Sequence, residues 1–222
     1  MARTFTMTSL VSACQDFADK TNDTHISTAQ WKRRISFRYG ELYQIVVDGG
    51  GRYFETESSI TATGATSYNE PSSILHILEV TRVDGSYRRK LDELMIQERA
   101  DFMGLTGTAT RWEFQDDQII LYPNPPSGTY KVLYIPQATD LSAYADGDLV
   151  DVACPAGERF LIWSVVADAL AKSESNAVDA LRNAAAARLD FEMWAANRAL
   201  TNPRHRVTRD ECDIDRDPAE YR

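Results

Sequence analysis

Apolar positions recur with two different periods along this chain, and the changes of period divide it into three stretches. From 8 to 20, Leu10, Cys14 and Phe17 share one helical face, with Val11 and Ala18 beside them. Thr8 stands where an N-cap belongs. A longer helix is predicted from Ser27 or Thr28 to about Val47, on the stripe Trp31, Ile35, Arg38/Tyr39, Leu42, Ile45 and Val46. Asp48-Gly49-Gly50-Gly51 ends it, glycine supplying the left-handed exit. From about 158 the helical period returns. Phe160, Leu161, Ile162, Trp163, Val165, Val166, Ala169 and Leu170 surround most of a helix from Glu158 to Lys172, which marks it as the buried central one. After a break at Ser173-Glu174-Ser175-Asn176, a last helix runs from about Ala177 to Leu200. Val178, Leu181, Ala185, Leu189, Glu192/Met193 and Ala196 form its predicted apolar face. Thr201-Asn202-Pro203 stops it.

Between these helices the period is that of strands. Arg52-Tyr53-Phe54-Glu55 reads as the start of a strand, and Thr61 to Ser73 as small, polar and turn-like. Ile74 to Val83 reads as a strand. Asp84-Gly85 is a two-residue hairpin signal, with Ser86 to Leu91 returning. Asp92 is placed to cap a short helix through Phe102 that carries Leu94, Met95 and Ile96. Thr108 to Phe114 then leads into a predicted hairpin. Its first arm is Ile119-Ile120-Leu121-Tyr122 and its second Tyr130, Val132, Leu133, Tyr134 and Ile135. Pro123-Asn124-Pro125-Pro126-Ser127-Gly128 lies between, and proline cannot continue a ladder. In the second arm Tyr130/Val132/Tyr134 alternate with Lys131/Leu133/Ile135, so both faces are mostly apolar and both need cover. The fold class expected is α+β: a helical bundle from 8–47 and 158–200, interrupted by an antiparallel β insert at about 52–140. Residues 1–203 form a single domain in this reading, and 204–222 an extended C-terminal tail.

Composition narrows the function classes. The formal net charge of −9 disfavours general affinity for nucleic acid or an anionic membrane surface. No apolar run is long enough to span a bilayer, and Met1-Ala2-Arg3-Thr4-Phe5 lacks a secretory core. Cys14, Cys154 and Cys212 are far apart and odd in number, which points to a reducing compartment without a disulfide frame. The tail holds Arg204, Arg206 and Arg209, then Asp210, Glu211, Asp213, Asp215 and Asp217. Its apolar content is Val207, Ile214 and Tyr221. Such a segment cannot bury enough surface to offset its ordering entropy, so it is either disordered or ordered by a partner.

Catalytic and cofactor signatures are not evident. Gly49-Gly50-Gly51 is followed by no Gly-Lys-Ser/Thr and ends a helix where a phosphate loop would open one. His25, His76 and His205 fall in different elements without metal-type spacing. There is no Gly-x-Ser-x-Gly elbow, and Asp116-Asp117 precedes a strand, where acidic turn residues are routine. Trp31-Lys32-Arg33-Arg34 is the densest basic patch. At this net charge it reads as a solvated helix face with Trp31 in the core.

The order of parts nevertheless resembles a known family. The pattern Asp-x-Ile-x-Leu-Tyr-Pro-x-Pro at Asp117 to Pro125, then Gly-x-Tyr-x-Val-x-Tyr-Ile-Pro at Gly128 to Pro136, follows a long helix with Trp31. A two-helix unit broken at Lys172-Ser173-Glu174-Ser175 and an arginine-bearing tail follow. This is similar to the head-to-tail adaptor, or connector, proteins of tailed double-stranded DNA bacteriophages. The resemblance implies a structural, non-enzymatic virion protein without cofactors, made in the host cytoplasm and residing in the neck between portal and tail. It implies a homo-oligomeric ring, usually of twelve copies, whose C-terminal segments dock on the portal protein and whose β part meets the tail or a stopper. Double-stranded DNA would pass through without sequence-specific binding. The residues this assigns are Arg204, Arg206, Val207, Arg209, Ile214 and Tyr221 for portal docking. The hairpin residues Tyr122, Pro125, Tyr130, Val132, Leu133 and Tyr134 would form an inter-subunit or tail-facing surface. Two other classes remain open: a stopper or tail-completion component, and an enzyme with an unrecognised site.

Overall fold

A computed structural model describes residues 3–20, 26–50, 52–69, 73–173 and 176–201. In chain order the elements are β1 (Thr4–Thr6), α1 (Met7–Phe17), α2 (Thr28–Asp48), β2 (Thr56–Ala62), β3 (Tyr68–Asn69), β4 (Ile74–Asp84), β5 (Tyr87–Glu93), α3 (Arg99–Phe102), β6 (Arg111–Gln115), β7 (Gln118–Tyr122), β8 (Gly128–Pro136), β9 (Leu149–Asp151), α4 (Pro155–Lys172) and α5 (Val178–Thr201). The mixed α+β class read from the sequence is observed. The chain separates into two compact units. One is Phe54–Gln137, and the other combines the segments on either side of it.

The flanking segments make the helical unit. Thr6 caps α1 by accepting the amide of Ser9 at 3.2 Å, two residues before the expected Thr8. Thr8 instead donates its hydroxyl to the Asp146 carbonyl at 2.8 Å. Ser27 caps α2, whose buried face is Trp31, Ile35, Tyr39, Leu42, Tyr43 and Val46. Gly49 is still right-handed at its end, and the left-handed exit falls to Gly50, with φ 70°. α4 starts three residues earlier than expected, at Pro155, with Cys154 as N-cap. It is buried nearly all round, including Phe160, Leu161, Ile162, Val165, Val166 and Ala169. Across from it Phe191 of α5 stacks on Phe160 and on Trp194, with centroids 6.1 and 5.6 Å apart. β1 and β9 pair antiparallel at Phe5↔Val150 and close the unit.

α5 overturns its expected orientation. Ala180, Ala187, Phe191 and Ala195 are its buried residues, whereas Val178, Leu181, Leu189 and Met193 face solvent. The reason is steric. A Cβ on Gly157 would fall on the Val152 carbonyl and within 3.0 Å of the Phe191 ring, and one on Gly49 would meet the Ala195 Cβ at 2.9 Å. Only small residues and one flat ring fit the inward face.

The β unit is a seven-stranded sheet in the order β2-β8-β4-β5-β6-β7-β3. Its core gathers Ile60, Val80, Leu91, Trp112, Ile119, Leu121, Tyr130 and Val132. Here the predicted hairpin fails: β7 and β8 are not paired. Asp116 and Asp117, at φ 51° and 58°, form the two-residue turn that joins β6 to β7, with Gln115↔Gln118 closing it. β8 is taken on one edge by β2 and on the other by β4, through Ser58↔Val132 and Val80↔Val132. The proline-rich segment therefore carries the chain across the sheet and makes no tight turn. Asn124 in it donates its amide to Leu105 O at 2.9 Å and accepts that of Gly107 at 3.0 Å.

Three smaller expectations change for the same reason, that strand edges seek partners. Tyr53 and Phe54 form a turn, and β2 begins only at Thr56. The β4–β5 loop is Gly85-Ser86, because Asp84 pairs with Tyr87. The helix expected from Asp92 to Phe102 shrinks to a 3-10 turn at Ile96–Glu98 and the four-residue α3. Asp92 and Leu94 give their amides to Thr110 and Trp112 carbonyls instead, at 3.2 and 2.7 Å, which holds β5 against β6.

Two glycines test the packing in opposite directions. Gly157→Ala should lower the urea midpoint, at a cost of about 1–3 kcal/mol for overpacking. Gly40 lies mid-helix in α2, and a methyl added there would have no atom within 4 Å. Gly40→Ala should raise stability by about 0.5–1 kcal/mol. A Gly157→Ala midpoint at or above that of the parent would show that the α4–α5 contact is not close.

Candidate interaction surfaces

The β unit carries a cleft of about 410 Å³. Its position follows from sheet pairing. β3 pairs with β7 only at Tyr68↔Ile119 and Asn69↔Gln118, and the cleft opens along the remaining edge. Phe102, Met103, Leu105, Ile120 and Leu121 give it an apolar lining, with Gln115, Asp116, Gln118, Tyr122 and Asn124 among its polar members. Met103 and Leu105 are exposed, as are Met95 and Ile96 in the same unit. Beside the cleft, the carboxylate of Glu113 is nearly buried and accepts from Arg99, which also bonds Gln115 at 3.0 Å. The Tyr122 hydroxyl donates to Glu113 at 3.3 Å. Burial, with the Glu113 charge next, pushes the Tyr122 phenol above its ordinary pKa. This ion pair fixes the rim.

The strand residues singled out from the sequence differ in burial. Tyr130, Val132 and Tyr134 are inside the β unit's own core, and Pro125 is buried. Tyr122 and Leu133 are half-buried. On the same β8 face as Leu133, Lys131 pairs with Glu57, which also receives Arg88 at 2.5 Å. The residues expected to dock on a portal, Arg204, Arg206, Val207, Arg209, Ile214 and Tyr221, lie outside the described residues, as do His25, His205 and Cys212. Cys14 and Cys154 are buried free thiols, and burial pushes Cys14 up to about 12.

The basic patch of α2 is engaged internally. Trp31 is fully buried, and Lys32 reaches the Tyr144 carbonyl at 2.7 Å and Asp146 at 2.9 Å. Arg34 bonds the Gln30 carbonyl at 3.4 Å, which leaves Arg33 exposed. Arg38 forks onto Asp168 at 2.7 and 2.6 Å and also grips Glu41, tying α2 to α4. Tyr53 donates to both oxygens of Asp151, at 2.9 and 2.8 Å, under the ring contact with Trp194.

What the sequence reading missed is apolar surface on the helical unit. Val178, Leu181, Leu189 and Met193 stand out from α5, and Phe17 and Phe37 are exposed on α1 and α2. The signal was present: α5 carries two apolar faces, and its one large aromatic pair, Phe191 and Trp194, lies off the assigned stripe. Among the described residues, no group of three or more His, Cys, Asp or Glu is placed to hold a metal ion, and no helix is long and apolar enough to cross a membrane.

Against known proteins, the family model described as SU10 adaptor protein matches residues 6–211. No curated protein matches the chain.

Burial separates two neighbours on β8. Val132→Asp puts an unpaired charge in the core and should cost about 3–5 kcal/mol, enough to unfold the β unit. Leu133→Asp should remain folded, with a loss on the order of 1 kcal/mol. Circular dichroism and amide exchange read both. Equal tolerance of the two variants would contradict the register of β8.

Proposed function

The chain belongs to the SU10 adaptor protein family, and we propose that it is a structural protein of a tailed phage particle, working as a head-to-tail adaptor. In this reading roughly twelve copies form a closed ring on the portal vertex. The ring extends the DNA channel and presents the attachment surface for the tail or a stopper. The observation that carries the reading is the extent of the family match. It runs through both compact units and into the arginine-bearing segment after α5.

Physical chemistry supports the parts of this role. The net charge of −9 lets DNA pass a lumen without the phosphate contacts that would hold it. Arg204, Arg206 and Arg209 can fork onto carboxylates of the portal, with Val207, Ile214 and Tyr221 as apolar anchors. One such segment binds weakly, and a ring of them binds firmly through effective concentration. Of the strand residues assigned to the tail side, Leu133 and Tyr122 keep accessible surface and are the ones left for that contact.

Deletion of 204–222 tests the docking arrangement. The truncated chain should keep its helical circular dichroism and lose association with portal-bearing heads, read by co-sedimentation. Head completion at the wild-type level by the truncated chain would move the portal contact onto the helices. A full-length chain that associates with neither portal nor heads would overturn the adaptor role.

A further inference from the structure

The β4–β5 hairpin carries a charge opposite to that of the chain. From Arg82 to Lys90 it holds Arg82, Arg88, Arg89 and Lys90 against the carboxylate of Asp84, in a chain of net charge −9. Val80↔Leu91 is its last pair with both residues buried. Toward the turn Tyr87, Arg88, Arg89 and Lys90 are all exposed, Tyr87 to 82 %.

One edge of β5 is open there. The two-residue turn makes Asp84↔Tyr87 a hydrogen-bonded pair, and such pairs alternate along the ladder, so Arg82↔Arg89 is the next. Arg88, Lys90, Asp92 and Leu94 therefore turn their amides and carbonyls to the opposite edge. β6 takes the amides of Asp92 and Leu94 at 3.2 and 2.7 Å, and its first partner on β5 is Asp92. Arg88 and Lys90 continue the same row past the end of β6, and nothing among the described residues bonds to their backbone on that edge.

The side chains say what such an edge accepts. Arg88 and Lys90 share a sheet face with Lys131 and Leu133. Glu57 answers both Arg88 and Lys131, Asp92 leans to Arg111 at 3.7 Å, and Lys90 has no ion-pair partner among the described residues. On the other face Arg89 stands directly opposite Arg82, whose partner is Asp84 at 2.7 Å. Like charges opposed in a strand pair are destabilising, and Arg89 is unmatched among the described residues. Cations on an edge keep apolar and cationic edges of other chains away. The same cations favour an acidic strand.

We propose that the β5 edge from Tyr87 to Lys90 takes an extended acidic segment of a partner protein as an added antiparallel strand. Carboxylates stand opposite Arg88 and Lys90, and an apolar side chain covers Tyr87. Resting on the adaptor reading above, this names the chemistry that the tail-side partner brings to the β unit. A second copy of the same edge is repelled, cation against cation. Duplex DNA would meet the cations with its phosphates but offers no aligned donors to the Arg88 and Lys90 carbonyls. Glu211, Asp213 and Ile214 of this chain have a similar alternation, but Ile214 is given to the portal in the reading above.

Amide NMR of the full-length chain tests the edge, with the acetylated and amidated peptide Thr-Glu-Thr-Asp-Ile-Thr as probe. In the free chain the Arg88 and Lys90 amides should exchange with solvent at least tenfold faster than those of Asp92 and Leu94. The peptide should shift and protect them at millimolar concentration. Its Glu and Asp amides would face β5 and its Ile amide would face away. N-methylation at the Asp should therefore weaken binding about tenfold, and N-methylation at the Ile should not. Lys90→Glu, at an exposed position, should weaken binding about fivefold, and Lys in place of the peptide's Glu should restore it. No peptide shift, or equal binding by the two methylated peptides, would overturn the added strand. So would a short DNA duplex that displaces the peptide from these amides. Protection of Arg88 and Lys90 in the free chain that disappears on removal of 204–222 would make the chain's own segment the occupant, and would overturn the proposal as well. Portal and head association is measured separately, so this contact can fail while the adaptor role stands, and the adaptor role can fail while the peptide binds.

Discussion

α4 has almost no face to give to water, and the helical unit is arranged around that fact. A helix buried on most of its faces must be covered by other elements, and the amides of its first turn need a cap. Cys154 provides its N-cap, with the sulfur accepting the Gly157 amide at 3.4 Å. Asp168, half-buried on α4, is neutralised by the Arg38 fork, which fastens α2 to this helix. α1 and α5 cover the other sides. The same constraint explains why the chain leaves and re-enters this unit. α2 is made before the β unit and α4 after it, so the helical core cannot close until the insert has been traversed.

The β unit follows a different constraint, competition for strand edges. A sequence can place strands well and still leave their pairing undetermined, because every strand has two edges. Here two acidic residues decide it. Asp116 and Asp117 accept left-handed backbone angles, which locks β6 to β7 and removes β7 from the reach of β8. The prolines at Pro123, Pro125 and Pro126 mark a discontinuity correctly, yet a discontinuity of six residues fits a crossing as well as a turn.

Legibility therefore varied with the locality of the signal. Trp31, Ile35 and Leu42 announced the buried face of α2, and Phe160 to Ala169 announced the central helix, because a single period carries each message. The stretch from Asp92 to Phe102 misled because Leu94, Met95 and Ile96 have helical propensity, while the Asp92 and Leu94 amides gain more by bonding to the neighbouring strand. The candidate surfaces were the least legible. Tyr130 and Val132 were assigned to a contact surface on the argument that both faces of their strand needed cover, and their own sheet and core supply it. The six tail positions rested on composition and the resemblance, and they lie outside the described residues.

α5 shows why an apolar stripe alone does not say which way a helix faces. Its inward side meets Gly49 and Gly157, where even a methyl would collide, so the interior selects Ala180, Ala187 and Ala195 and admits one flat ring at Phe191. Leu181, Leu189 and Met193 are excluded from that side by volume. Their presence outside then requires its own cause, because Glu, Lys or Gln would serve an exposed helix position as well by propensity and better by solvation. Single exposed leucines are ordinary, but a row along five turns is not scattered. Arg188 pairs with Glu192 beside the row, so that pair leaves no net charge there. An exposed apolar row is the kind of surface through which an acidic chain can meet a partner. Like net charges oppose association at long range, and only short-range apolar contact with locally neutral borders can overcome that opposition.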